Sequence, residues 1–239
     1  MNINLKAVPM KNPIILALDV DSRDQALKIA DELADIVGGF KLGPRLCLRY
    51  GADFVREITH RGPVFLDNKH FDIPSTMEAA VRASFDAGAS HVTVHALSGS
   101  EALKKMALLE EELNKVRHFR ILAVTILTSW GEESPPNILK SQKISQHVSD
   151  LVSLVEESGM KGIVCSPHEL DLLQNRGLYL VTPGIRTNMR SADDQKRIMG
   201  PAEAIDLGAS ALVVGRPILE AKNLIEAATE FLMAVYEKK

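Results

Sequence analysis

Short runs of almost uninterrupted apolar and β-branched residues recur along this chain, separated by amphipathic stretches. The runs are IILALDV, GGFKLG, VFLDNK, HVTVHA, RILAVTILTS, GIVCS, LYLVTPG and ALVVG. A strand with one wet face alternates apolar and polar residues, whereas a parallel strand covered on both faces has no need to. These runs are of the second kind. They predict parallel strands flanked by helices. After the first run, DSRDQALKIADELADIV puts Leu27, Ala30, Leu33, Ala34 and Val37 on one helical face, and Ser22 with Gln25 fits a capping box at its start. Further helices are expected near Ser75–Ala87, Glu101–Lys115, Ile144–Glu157, His168–Gln174 and Pro201–Leu207, with a last one ending near Tyr236. Eight strand runs in 239 residues, with no Pro/Ser-rich linker, predict one domain over residues 1–239. Its expected class is α/β, a closed (β/α)8 TIM barrel in preference to an open doubly wound sheet.

Charge and cysteine usage narrow the function. A net charge of −3 and a pI near 6.2 offer no basic field to nucleic acid or to an acidic membrane surface. No apolar run approaches the ~20 residues of a membrane span, and the N-terminal MNINLKAVPMKNP has no apolar stretch of signal-peptide type. Cys47 and Cys165 have neither CxxC nor metal-site spacing and read as buried free thiols. A cytoplasmic protein is expected.

A barrel of this kind keeps its site at the C-terminal ends of the strands. There the first strand ends at Asp19, the second carries Lys41, and the third carries Asp67 and Lys69, two apart and so on one face. Asp72 follows where the chain turns towards a helix. A lysine flanked by carboxylates keeps its proton and can serve as a positioned acid. A solvated ion-pair network would explain any one of these residues alone, but their convergence on one mouth favours chemistry. The stretch IPST has a local reading too, with Pro74 opening a helix and Ser75 and Glu78 forming a capping box. At the far end of the chain, VTPGIR places Pro183, Gly184 and Arg186 after the seventh strand, DDQKRI places Gln195 at the end of the same loop, and VVGRPI places Gly215 and Arg216 after the eighth. Loops after these two strands often hold a phosphate. The alternative is a plain turn with Arg216 in solvent. His91 and His95 are four apart but lie in a strand-like run with no carboxylate to complete a metal triad, so no metal is expected. His70 should face away from Lys69. Trp130 would at most cover the site.

DNKHFDIPST resembles the D-x-K-x-x-D-I-P-x-T signature of the orotidine 5′-monophosphate decarboxylase family. The resemblance extends through ALD, KLG, LTS, VTPGIR, DDQKRI and VVGRPI, in that order. It implies a (β/α)8 barrel acting as a homodimer, with no cofactor, that removes CO2 from orotidine 5′-monophosphate to give UMP, the last step of de novo pyrimidine nucleotide synthesis. Carried over to this sequence, Lys41, Asp67, Lys69 and Asp72 would form an alternating charge network with Lys69 as proton donor to C6. Asp72 and Thr76 would serve the neighbouring subunit's site. Asp19 and Lys41 would hold ribose hydroxyls. Thr128 and Ser129 would read the pyrimidine edge, and Pro183 would pack by the base. Arg186, Gln195, Gly215 and Arg216 would grip the phosphate, with Gly184–Gln195 as a closing lid. Two other readings compete. A Mg-dependent sugar-phosphate lyase of the same superfamily, of hexulose-phosphate synthase or ketogulonate-phosphate decarboxylase type, would carry a carboxylate where this chain has Lys41. A non-catalytic nucleotide-phosphate binding protein would have no use for the full set of charges on the third strand.

Overall fold

Eight parallel strands pair in chain order and close on themselves, the first hydrogen-bonding to the last with Ile14 opposite Leu212. The computed structural model describes residues 10–130, 135–187 and 199–237. The strands are β1 (Ile14–Ala17), β2 (Gly39–Leu42), β3 (Val64–His70), β4 (His91–His95), β5 (Arg120–Val124), β6 (Gly162–Val164), β7 (Tyr179–Pro183) and β8 (Ala211–Val214). Around them run α1 (Arg23–Leu33), α2 (Pro44–Thr59), α3 (Pro74–Asp86), α4 (Gly99–Asn114), α5 (Ile144–Glu157), α6 (Leu170–Leu173), α7 (Pro201–Asp206), α8 (Arg216–Leu219) and α9 (Leu224–Tyr236). This is the expected (β/α)8 TIM barrel.

The near-continuous apolar character of the strands has a direct structural cause. Ile14, Leu16 and Leu18 face the helices, and Ile15 and Ala17 face the barrel interior. The interior layer is small. Ile15, Ala17, Phe65, Leu122, Val181, Ala211 and Val213 fill it, and the rest of the core lies between strands and helices. Both faces of the strands are therefore dry along most of their length, the charged end of β3 excepted.

Several local expectations need correction. In α1 the buried face is Ala26, Ile29, Ala30 and Leu33, while Leu27 and Ala34 are half-buried. The Ser22 hydroxyl accepts from the Gln25 amide at 3.4 Å, which supplies the forward half of the expected capping box. The capping box at Ser75 is not formed. Ile73 caps α3 without a side-chain bond, Pro74 is the first helical residue, and Glu78 instead pairs with Arg82 and Lys105 at 2.9 and 2.7 Å. Proline needs no amide partner at that position, so the helix starts two residues earlier than a serine cap would place it. On α2 the buried Leu46, Phe54, Val55 and Ile58 fall at helical spacing, and Gly51, with φ of 66°, kinks the helix. Cys165 is a buried free thiol as expected, but Cys47 is only half-buried. No helix among the described residues is long and apolar enough to cross a membrane.

Candidate active site

The inward parity of the strands carries straight into the charged residues at the mouth. Two residues past the interior Ala17 lies Asp19, and two past Phe65 lies Asp67. Two past Val181 lies Pro183, and two past Val213 lies Gly215. Lys41 is level with Ala17 and Phe65 in the sheet register. A cavity of about 490 Å3 opens at this end. Asp19, Lys41, Asp67, Lys69, Thr128, Ser129, Pro183, Arg186, Gly215 and Arg216 all line it.

Lys69 reaches the cavity by a route that simple alternation does not describe. The register between β3 and β4 shifts between Leu66 and His70, and Lys69 has φ of 49°, in the left-handed region. For a residue with a Cβ this conformation costs on the order of 1–2 kcal/mol. The surrounding contacts hold it there. The Lys69 amide donates to the Thr93 hydroxyl at 2.8 Å, and the Lys69 ammonium donates to Asp67 Oδ1 at 2.9 Å.

The charges form a chain. Lys41 Nζ lies 3.3 Å from Asp19 Oδ1 and 3.7 Å from Asp67 Oδ2, and Lys69 takes the other Asp67 oxygen. Asp67 is the hub, with its side chain only 16% exposed. Burial alone would raise its pKa. The opposing pull of Lys41 and Lys69, with hydrogen bonds from Lys69 and Thr93, outweighs burial and holds the carboxyl below its ordinary range. Asp67 is therefore an anion at neutral pH, and the ammonium beside it is fixed rather than mobile.

The opposite wall is built by β7 and β8. Arg186 is buried, and its amide donates to the Met199 carbonyl at 3.0 Å. Ile185 and Met199 form an isolated bridge, which ties together the two ends of the loop after β7. Gly184 has φ of 87°, which a side chain would resist. A Cβ at Gly215 would come within 3.4 Å of Ala17 Cβ and 3.7 Å of Asp19 Oδ2, so glycine leaves that corner of the cavity open. Apolar groups, among them Phe65, Val124, Ile126 and Leu127, complete the lining.

Asp72 and Thr76 are not brought to this cavity. Both are exposed, and Asp72 Oδ1 accepts from the Ile73 amide at 2.7 Å. Gln195, and most of the Gly184–Gln195 segment, lie outside the described residues. His70 is half-buried and is not among the residues around the cavity. His91 and His95 do not pair as metal ligands. The His95 ring accepts from the Leu97 amide and contacts Phe71, whereas His91 bonds the Ser90 hydroxyl at 2.9 Å. Trp130 packs against the outer core. Thr93, which bonds both Asp67 and Lys69, is the residue that sequence reasoning misses. Its one local signal is a hydroxyl in an otherwise apolar stretch of strand between two histidines.

The described residues thus form a closed (β/α)8 barrel with ion-paired lysines and carboxylates at its C-terminal mouth, an arrangement of the kind found in barrel enzymes. A family model described as orotidine 5′-phosphate decarboxylase / HUMPS family matches residues 12–231, and the chain belongs to that family. Relatives named orotidine 5′-phosphate decarboxylase, a carboxy-lyase, include one from Trichlorobacter lovleyi, 40% identical over 91% of this chain and 92% of its own length. Another, from Synechococcus sp. strain CC9605, is 43% identical over 88% of this chain and 90% of its own. The crystal structure of orotidine 5′-phosphate decarboxylase from Lactobacillus acidophilus superposes with a TM-score of 0.79 at 30% identity, covering 95% of this chain and all of that one.

Proposed function

We propose that this chain is a cofactor-independent decarboxylase that converts orotidine 5′-monophosphate to UMP in pyrimidine nucleotide synthesis, with residues 1–239 as one barrel domain. The observation that carries this reading is the Asp19–Lys41–Asp67–Lys69 chain on one side of a cavity whose other side carries Arg186 and Arg216. Such a cavity suits a substrate that is anionic at one end and gains negative charge at the other.

The difficulty of the reaction is a carbanion at C6 whose electron pair lies in the plane of the ring, where the π system cannot spread it. The bond from C6 to the carboxyl carbon breaks, its electron pair stays on C6, and CO2 leaves. The Lys69 ammonium stands where that charge develops and then gives its proton to C6. Asp67, itself paired with Lys41, holds the ammonium in place before the reaction, so little reorganisation is needed during it. Asp19 and Lys41 suit the ribose hydroxyls, Thr128 and Ser129 the pyrimidine edge, and Pro183 the face of the base. Arg186, Gly215 and Arg216, with Gln195 from the loop after β7, suit the phosphate. Binding energy from that non-reacting phosphate can be used to close the site and lower the barrier.

The reading includes a cytoplasmic homodimer in which Asp72 and Thr76 complete the partner's site. Phe71 and Ile73 flank Asp72 and are 61% and 63% exposed, and Leu97 stands exposed after β4. Apolar surface of this kind beside a carboxylate suits burial against a second copy.

The test is loss of orotidine 5′-monophosphate absorbance on adding purified protein, with and without EDTA. Fast loss that EDTA leaves untouched is expected. Turnover that needs Mg2+, on a sugar phosphate instead, would move the chain to the synthase side of its family. Tight UMP binding without turnover would leave only a binding protein.

A further inference from the structure

We propose that Thr93 is a positioning residue of the active site, and that its single hydroxyl sets both the backbone of Lys69 and the carboxylate of Asp67. This rests on the decarboxylase reading given above. Thr93 lies on β4, is fully buried and does not line the cavity. Its Oγ1 accepts the Lys69 amide at 2.8 Å and lies 3.1 Å from Asp67 Oδ1. The direction of both bonds is fixed by chemistry. An amide can only donate, and an ionised carboxylate can only accept. The one hydroxyl hydrogen must therefore point at Asp67. With the Lys69 ammonium on the same Asp67 oxygen at 2.9 Å, the atoms close a ring from the Lys69 amide through Thr93 and Asp67 back to the Lys69 side chain.

That ring accounts for an otherwise costly geometry. Lys69 sits at φ of 49° where the β3–β4 register breaks, so its amide is lost to the regular ladder between the strands. An amide buried there without an acceptor would be penalised. Thr93 supplies the acceptor, and strain at Lys69 persists only while its surroundings fix it. The same hydroxyl is one of the groups that keep Asp67 ionised. Valine has the shape of threonine without the hydroxyl, so Thr93→Val removes both bonds and leaves the packing volume of β4 nearly unchanged.

The experiment compares Thr93→Val and Thr93→Ser with wild type in full steady-state kinetics across pH, alongside crystal structures of wild type and Thr93→Val. Thr93→Val is expected to lower kcat roughly 10- to 100-fold with KM changed little, the scale of losing charge-assisted hydrogen bonds. The acid limb of kcat should move to higher pH, because Asp67 loses a donor that favours its anion. Thr93→Ser, which keeps the hydroxyl, should restore both to within a few-fold. In the Thr93→Val structure Lys69 should leave the left-handed region or its ammonium should leave Asp67 Oδ1. Turnover within twofold of wild type with an unmoved acid limb would overturn the proposal, and so would equal loss in Thr93→Ser. If Thr93→Val does not fold, Thr93→Ser against Thr93→Ala makes the same comparison. If wild-type protein leaves orotidine 5′-monophosphate intact, the decarboxylase reading fails by itself. The two crystal structures then decide the positioning claim, which falls if Lys69 keeps its place without the hydroxyl.

Discussion

Both ends of this barrel bury ionisable side chains, but they treat them in opposite ways. At the C-terminal mouth, Asp67 is kept charged by two lysines and two hydrogen bonds that together outweigh burial. At the N-terminal end, His91 is fully enclosed and stays neutral. Its ring stacks on Tyr179 with centroids 5.8 Å apart and meets His118 edge-on at 6.5 Å. Burial, then repulsion from His118 and Arg120, pushes its pKa down to about 3. A cavity of about 390 Å3 lies here as well, lined by Ser90, His91, His118, Tyr179 and Ser210 among others, and among the described residues no carboxylate lines it. Neutral rings pack and stabilise, whereas paired charges at fixed positions can act on a substrate. The contrast between the ends thus separates a neutral aromatic cluster from a charged one, and under the proposed function only the charged one is suited to chemistry.

The largest effect that tests this contrast is on turnover. Lys69→Ala should reduce kcat by at least about 10^3-fold, since it removes both a proton donor and the cation facing the developing charge. Single-turnover kinetics of the purified variant measure it, and near-normal turnover would remove Lys69 from the chemistry. Arg216→Ala comes next. It should lower kcat/KM by roughly 10- to 100-fold, the scale of a lost charge-assisted contact to phosphate. The mouth would then be functional along both walls. An unchanged kcat/KM would restrict the active region to the side built by β1, β2 and β3.

How much of the mouth is legible in sequence follows from how each residue gets there. Asp19, Asp67, Pro183 and Gly215 extend the interior parity of their strands, so the alternation of an apolar run carries them to the cavity. The barrel itself is legible for the same reason. Lys69 is reached correctly by the same count, but through a register break and a left-handed backbone that no local pattern shows. Thr93 shows in the sequence only as a hydroxyl in an apolar strand, which says nothing of its partners. Its role comes from a contact with residues 24 and 26 positions away, fixed only by strand pairing. The start of α3 fails for a local reason, a proline that opens the helix ahead of the serine. Asp72 and Thr76 are legible through the family signature alone, since nothing within one chain draws them to a cavity.

The two ends should also fail in different pH windows. His91 takes a proton in the unfolded chain below about pH 6.5 but in the folded chain only near 3. Unfolding therefore takes up a proton between those values, and stability falls as pH drops through that window. Asp67 has the reverse origin, a carboxyl lowered from 3.8, so its contribution is complete above that value and is lost only as pH falls below it. His91→Phe keeps a ring against Tyr179 and leaves the Ser90 hydroxyl its bond to the Val64 carbonyl at 3.0 Å. Between pH 7 and pH 5 the variant should lose less stability than wild type, by about 2 kcal/mol. Urea unfolding at the two pH values measures the difference. Equal losses would mean that His91 is protonated in the fold, and the distinction between the ends would weaken.

The smallest effect bears on what the mouth gives up to hold its geometry. Lys69→Gly and Lys69→Ala both remove the ammonium, so both should be inactive to the same degree. They differ only in the backbone. At φ of 49° alanine keeps the steric clash and glycine does not. The gain is opposed by the greater freedom of glycine in the unfolded chain, which is worth about 0.5–1 kcal/mol against it. If the strain at Lys69 is near 2 kcal/mol, the upper end for a left-handed residue, Lys69→Gly should be more stable than Lys69→Ala by about 1 kcal/mol. Urea midpoints at neutral pH resolve a difference of that size. An alanine variant more stable than the glycine variant, by about 0.5–1 kcal/mol, would mean that the backbone relaxes once the ammonium is gone. The strain would then be held by the Lys69–Asp67 ion pair, and the bond from the Lys69 amide to Thr93 would not be enough to keep it.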